Sequence, residues 1–326
     1  MALCALADLT ENRTTSSRHG ADAGQLPVTF RLLGPFEVST PKAAPLPVPR
    51  GRARALLALL LLNPNAVVSG DEIVDGVWGE HPPATVRTQV HVRVSLLRRF
   101  LDGLGDVSIE THPAGYRLTI DPVWIDLATF LHLARTGNRA LADNRPDAAA
   151  HALHRALALW RGAALGGVRA PFASSAAVQL EEQWLTAHGN RVDADLELGR
   201  HQELIPELRA LLMQRPLLEI ARAQLITAMH RAGRRADALA IYQEGARLLR
   251  DELGVDPGPD LTRAYWQLIA PSDLPARRGG RSADGGPGWP ALRARSAPSG
   301  GELAGTQPKP AWWRVKCAAV DKGPVP

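Results

Sequence analysis

Cysteine is almost absent: the 326 residues contain 2, Cys4 and Cys317, one near each end. Two thiols so placed exclude a disulfide framework and a four-cysteine zinc site. A reduced, cytoplasmic setting is expected. Long apolar runs are missing too. The longest, Ala55 to Leu62, is far short of the roughly 20 residues that span a bilayer, so no membrane partner is expected. No basic stretch precedes the first apolar residues, and Asp8 and Glu11 come soon after, so a secretory signal is not expected. There is no G-x-x-x-x-G-K-[ST] loop and no G-x-S-x-G, hence no expected nucleotide-driven switch and no serine nucleophile elbow. His151 and His154 share a helical face without an identifiable acidic or cysteine partner, so no metal is expected. Neither catalysis nor a cofactor is expected.

The composition that is present is globular, 45% hydrophobic and 22% charged, in a chain long enough for two domains each with its own core. The isoelectric point near 9.7 invites a nucleic-acid reading. Its distribution qualifies that: net charge is +1 over residues 1–120, −1 over 121–270 and +5 over 271–326. Bulk basicity belongs to the C-terminal segment, so only local clustering is informative.

Residues 1–26 are polar and read as a disordered extension. Val28 to Leu33 has strand character, and Gly34-Pro35 turns the chain into Phe36-Glu37-Val38. Pro41, Pro45, Pro47 and Pro49 keep the next stretch extended. A helix is expected from about Gly51 to Leu62, ending at Asn63-Pro64-Asn65. Ser69 with Glu72 three residues on predicts a capping box, opening a helix that ends at Trp78-Gly79. Pro82-Pro83 put the next helix start near Ala84. Val107-Ser108-Ile109 and Tyr116 to Ile120, separated by His112-Pro113-Ala114-Gly115, read as a hairpin. From Ile125 to Ala270 the pattern is helical, over roughly 126–142, 146–161, 173–199, 201–213, 217–232, 235–253 and 258–269. Gly199-Arg200-His201 and Gly233-Arg234-Arg235 lie 34 residues apart at helix junctions, the period of tetratricopeptide helix pairs. From Pro271 onward Gly, Pro, Arg and Ser dominate, the composition of a disordered basic tail. Trp78, Trp160, Trp184 and Trp266 are placed in the core.

The third helix carries the functional signal. From His81 to Leu101 there are four arginines and no acid. Val86, Val90, Val94, Leu97 and Leu101 form one stripe, and Arg87, Thr88, His91, Ser95, Arg98 and Arg99 fall broadly opposite. A helix of this kind, delivered by a turn from a supporting helix, suits a DNA major groove. The plainer reading, a solvated charged face, is outweighed by the upstream helix–turn, the proline-bounded start and the downstream hairpin. Arg117 and His112 on the hairpin are candidates for phosphate or minor-groove contact; closing a small sheet is the alternative. Arg50, Arg52 and Arg54 are candidates for holding phosphates at a helix start, or form a solvated first turn.

The segments RLLGPFEV, RGRARALLALLLLNPNAVVSGDEIVDGVWGEHPPATVRTQVHVRVSLLRRFL and HPAGYRLTI resemble the OmpR-type winged-helix domain of the Streptomyces antibiotic regulatory protein family. Downstream, DLATFLHLARTGNRAL, ALALWRGAAL, RVDADLELGRHQELIPELRALL and DELGVDPGPDL are similar to that family's bacterial transcriptional activation domain. The resemblance covers about Val28 to Ala270, in the family's order. It implies a pathway-specific activator of secondary-metabolite genes that binds direct repeats near a promoter and engages RNA polymerase. Where members often show a VYVSRLRR-like stretch this chain has VRVSLLRR, so Arg93 stands at a commonly aromatic position and Leu96 at a commonly basic one. Arg93 is directed about 60° from the apolar stripe by the ~100° helical step, toward a phosphate rather than a base.

The expectation is therefore a mainly α chain with an N-terminal winged helix-turn-helix of α+β type, then an all-α tetratricopeptide-like domain. Its boundaries are an extension at 1–26, a DNA-binding domain at 27–121, an activation domain at 122–270 and a tail at 271–326. Expected partners are double-stranded promoter DNA, RNA polymerase and a second copy on DNA. The alternative is a tetratricopeptide-type adaptor whose winged helix is structural.

Overall fold

The computed structural model describes residues 28–40 and 45–270. The expected extension at 1–26, the tail at 271–326, Cys4, Pro41 and Cys317 lie outside the described residues.

Two short strands open the fold, β1 (Thr29–Arg31) and β2 (Glu37–Ser39), paired antiparallel with Phe30 opposite Val38. Helix α1 (Arg52–Leu61) buries Ala53, Ala55 to Ala58, Leu60 and Leu61, the apolar run that was too short for a membrane. Strand β3 (Val67–Ser69) leads directly into α2 (Gly70–Trp78). The capping box forms as expected: Glu72 N donates to Ser69 Oγ at 3.1 Å, and Ser69 N donates to a Glu72 carboxylate oxygen at 2.8 Å. Helix α3 (Val86–Leu101) comes next, then β4 (Ser108–His112) and β5 (Gly115–Thr119). It begins two residues later than Pro82-Pro83 suggested, because Pro83 to Thr85 form a turn in which Val86 N donates to Pro83 O.

The hairpin is part of a three-stranded sheet in the order β3-β5-β4. Strand β3 was not legible in the sequence. At three residues it has no period of its own, and its partner lies about 50 positions downstream, with Val68 opposite Tyr116. The backbones approach so closely at Ser69–Gly115 that a Cβ on Gly115 would sit 2.0 Å from Val68 O. Asn65 extends the sheet by one side-chain rung: its amide donates to Ile120 O at 2.8 Å and accepts from Ile120 N at 3.0 Å.

The helical region begins with a 3-10 turn (Pro122–Trp124) and continues as α4 (Asp126–Ala142), α5 (Pro146–Leu157), α6 (Pro171–Glu197), α7 (His201–Gln214), α8 (Glu219–Arg231), α9 (Arg235–Leu253) and α10 (Pro259–Ile269). All seven expected helices are present. Gly199 and Gly233, the pair 34 residues apart, both have left-handed φ near 78°, each just past the end of a helix. Helix α5 stops at Leu157 rather than 161, because the segment behind it pairs with the N-terminal strands. Arg161 N donates to Leu33 O, Leu165 N to Leu32 O, and Phe36 N to Gly166 O.

That pairing corrects the expectation of one core per domain. A single cluster of buried apolar residues runs from Val28 through α1, α2, α3 and the wing sheet into α4, α5 and much of α6. A second cluster holds the end of α6 together with α7 to α10. Asp126 ties the seam: its two carboxylate oxygens accept from Leu32 N at 2.8 Å and Leu33 N at 3.1 Å. Where the two cores meet on α6, buried Arg191 and Asp195 pair with each other and with more exposed neighbours. Arg191 Nη1 donates to Asp195 Oδ2 at 3.1 Å, Arg191 also pairs with Glu207, and His188 lies 2.8 Å from Glu207. His154 has an acidic partner that its sequence neighbours did not reveal, Asp195 at 3.0 Å. Among the described residues no group of three or more His, Cys, Asp or Glu is arranged to hold a metal ion. Trp78 is buried and Trp160 packs edge-on to Phe130. Trp184 stacks on His188 at 4.9 Å. Trp266 departs from the expectation: it is 61% exposed on α10.

Candidate nucleic-acid interface

Helix α3 docks through Val90, Val94, Leu97 and Leu101, all buried against α1 and α2. The ~100° step then turns Arg87, Thr88, His91, Ser95, Arg98 and Arg99 outward, and all six are exposed. Arg93 sits half-buried on the flank, the direction its sequence position gave. Beside the helix stands the β4–β5 wing, with a groove of about 350 Å³ between them lined by Ser69, Asp71, Arg87, His91, His112 and Tyr116.

Several of these side chains are held in place by bonds that sequence spacing does not show. Arg98 Nε donates to Ile109 O at 2.9 Å and its Nη2 to Thr111 Oγ1 at 2.8 Å, clamping the helix to strand β4. His91 Nδ1 lies 2.7 Å from the Tyr116 hydroxyl. Burial pushes the Tyr116 phenol up, against the opposing pull of the Arg98 charge, so it remains a hydroxyl at neutral pH. Ser95 Oγ donates to His91 O at 3.0 Å, one turn back. Arg87 is 3.8 Å from Asp71, with both side chains almost fully in water, a pair that contributes little stability and exchanges readily for another anion. Arg99 and Thr88 are exposed along the helix.

The supporting arginines divide. Arg50 is exposed ahead of α1. Arg52 stacks over Trp78 at 5.1 Å and donates to Gln89 Oε1 at 3.4 Å; the same oxygen accepts from Trp78 Nε1 at 3.3 Å. Arg54 points inward, with Nη2 3.5 Å from Val48 O and its Nε buried. It does not join the other two. On the wing, His112 is exposed at the tip and its Nδ1 accepts from Ala114 N at 3.2 Å, shaping the turn. Arg117 faces Glu110 across the strand pair, 3.7 Å away.

Three side chains and one apolar pair were not read as parts of this surface from the sequence. Gln89, Tyr116 and Thr111 act through partners 11 to 37 positions away, which no local pattern encodes. Val92 and Leu96 form the fourth feature, an exposed apolar pair on α3.

A three-helix unit with its third helix outward and a wing beside it, continued by a helical array, defines the protein class as a bipartite winged-helix regulator. Comparison with known proteins agrees. Residues 50–118 match the model for "Transcriptional regulatory protein, C terminal", and residues 125–269 match "Bacterial transcriptional activator domain". The chain is 36% identical over 273 residues to the regulatory protein AfsR of Streptomyces griseus, covering 82% of this chain but only 27% of AfsR. It is 34% identical over 249 residues to the regulatory protein DnrI of Streptomyces peucetius, covering 74% of this chain and 91% of DnrI. The solved structure of Mycobacterium tuberculosis EmbR, in complex with a low-affinity phosphopeptide, superposes with a TM-score of 0.71 at 35% identity. That match covers 74% of this chain and 65% of EmbR. The chain belongs to the Streptomyces antibiotic regulatory protein family, and it is a transcriptional regulator of that type. Among the described residues no helix is long and apolar enough to cross a membrane.

Proposed function

We propose that the chain is a sequence-specific DNA-binding activator of secondary-metabolite genes, acting by binding rather than catalysis. Helix α3 enters the major groove, while the wing and the start of α1 hold the backbone. The observation that carries this reading is the outer face of α3. It is acid-free, exposes Arg87, Arg98 and Arg99, and stands beside a wing tethered to it by Arg98. Arginine forks fit guanine acceptors and phosphate oxygens alike. Each protomer carries one such helix, so a direct repeat takes two protomers side by side, head to tail. The helical region then faces RNA polymerase or the second protomer.

A salt titration of binding to promoter DNA from its own gene neighbourhood tests this. Each phosphate neutralised contributes about −0.9 to the slope of log K against log salt. A steep slope is expected. Binding that is absent, or indifferent to salt, would overturn the activator reading in favour of a tetratricopeptide-type adaptor.

A further inference from the structure

The outermost ridge of α3 is apolar at its centre. Val92 is 54% exposed and Leu96 40% exposed, one helical turn apart. Neither is needed for packing, since Val90, Val94, Leu97 and Leu101 already fill the docking stripe. Single exposed apolar side chains are ordinary. This pair is distinguished by where it lies: on the outward, acid-free side of the helix, next to exposed Thr88, Ser95 and Arg99.

The polar side chains of the same face are largely engaged within the protein. Ser95 donates to His91 O, His91 meets Tyr116, and Arg98 holds the wing. Val92 and Leu96 project without any such tie, and they offer no hydrogen-bond donor. A guanine edge or a cytosine amine pressed against them would be desolvated and unpaired. The thymine C5-methyl is the apolar feature of the major-groove edge.

Resting on the DNA-binding reading above, we infer that Val92 and Leu96 are specificity-determining residues that select the operator by apolar contact with thymine methyl groups. Four residues of helix advance about 6 Å, close to two base steps at about 3.4 Å each. Each half-repeat is therefore expected to carry two methyl-bearing positions about two steps apart beneath α3.

The test uses the full chain and a footprinted promoter repeat. Each thymine is replaced in turn by deoxyuridine, which removes only the methyl group. Wild-type affinity is expected to fall about fourfold at each of two such thymines, the transfer worth of one buried methyl-sized group. Val92→Ala and Leu96→Ala, whose helical content should match wild type by circular dichroism, are each expected to lose sensitivity at one of them. A wild-type profile indifferent to every deoxyuridine would overturn the inference. So would alanine variants with the wild-type profile. If those variants instead lose self-association, the pair is a protein contact. Salt-dependent binding in the same titrations keeps the DNA-binding reading standing in either case, whereas its absence removes both.

Discussion

Arg98 reaches from α3 to two atoms of β4, and those bonds decide what its removal should do. Its Nε and Nη2 hold the wing, so under the proposed function its main role is to position that wing. Arg98→Ala is expected to lower promoter affinity about tenfold, equivalent to ~1.4 kcal/mol. Helical content and the salt slope should be unchanged. A slope loss near 0.9 would mark a direct phosphate contact, and wild-type affinity would remove Arg98 from the interface. Asp126 makes a second residue-scale case. Burial pushes its carboxyl up to about 6, against the backbone bonds from Leu32 and Leu33 and the charge of Arg161. In the unfolded chain it titrates near 3.8. Between those values the folded state binds more protons, so Asp126's contribution to stability declines as pH rises from about 4 to about 6. Asp126→Asn offers one acceptor to two amides and should cost about 1–3 kcal/mol. In urea melts the gap to wild type is expected to be widest near pH 4 and narrower at pH 7. A gap constant with pH would show that Asp126 does not titrate in this window.

Among the elements, the helices were readable because each carries its own signals. The Ser69–Glu72 capping box, Gly79, and the glycines at 199 and 233 appear where the sequence placed them. Strand β3 and the early end of α5 were not readable, because both are decided by partners far along the chain. The β3–β5 approach gives an element-scale prediction. Gly115→Ala puts a Cβ 2.0 Å from Val68 O, so the rung must open. A loss of about 1–3 kcal/mol is expected, as for other over-packed sites, with increased amide exchange in β3 and β5. Unchanged exchange at Val68 and Tyr116 would show that the wing absorbs the methyl elsewhere. The candidate contact residues on α3 were legible as a stripe broadly opposite the apolar one. Their tethers were not, since Tyr116 stands 25 positions from His91 and Thr111 13 from Arg98.

For the molecule as a whole, the family resemblance and the helical count came from local patterns, but the distribution of the core did not. The larger apolar cluster crosses residue 121 without a break and continues into α6. Removing everything after 121 would expose Phe30, Leu32 and Leu33 and strip the amides of the last two of their Asp126 acceptor. A fragment of residues 27–121 is therefore expected to melt at a lower temperature than the full chain, and less cooperatively, by tryptophan fluorescence. An equal midpoint and sharpness would mean that the winged helix is self-sufficient. The amino-acid sequence by itself determined the helices, the capping box, the acid-free face of α3 and the family. Each is encoded within a few residues of where it acts, through the helical period, the cap geometry or a contiguous motif. Only the tertiary structure decided that Arg54 turns inward, that Arg98 holds the wing and that the larger of the two cores runs through both parts. Those outcomes depend on which surfaces meet after the chain has folded, and partners 10 to 100 residues apart leave no periodic trace in a single sequence.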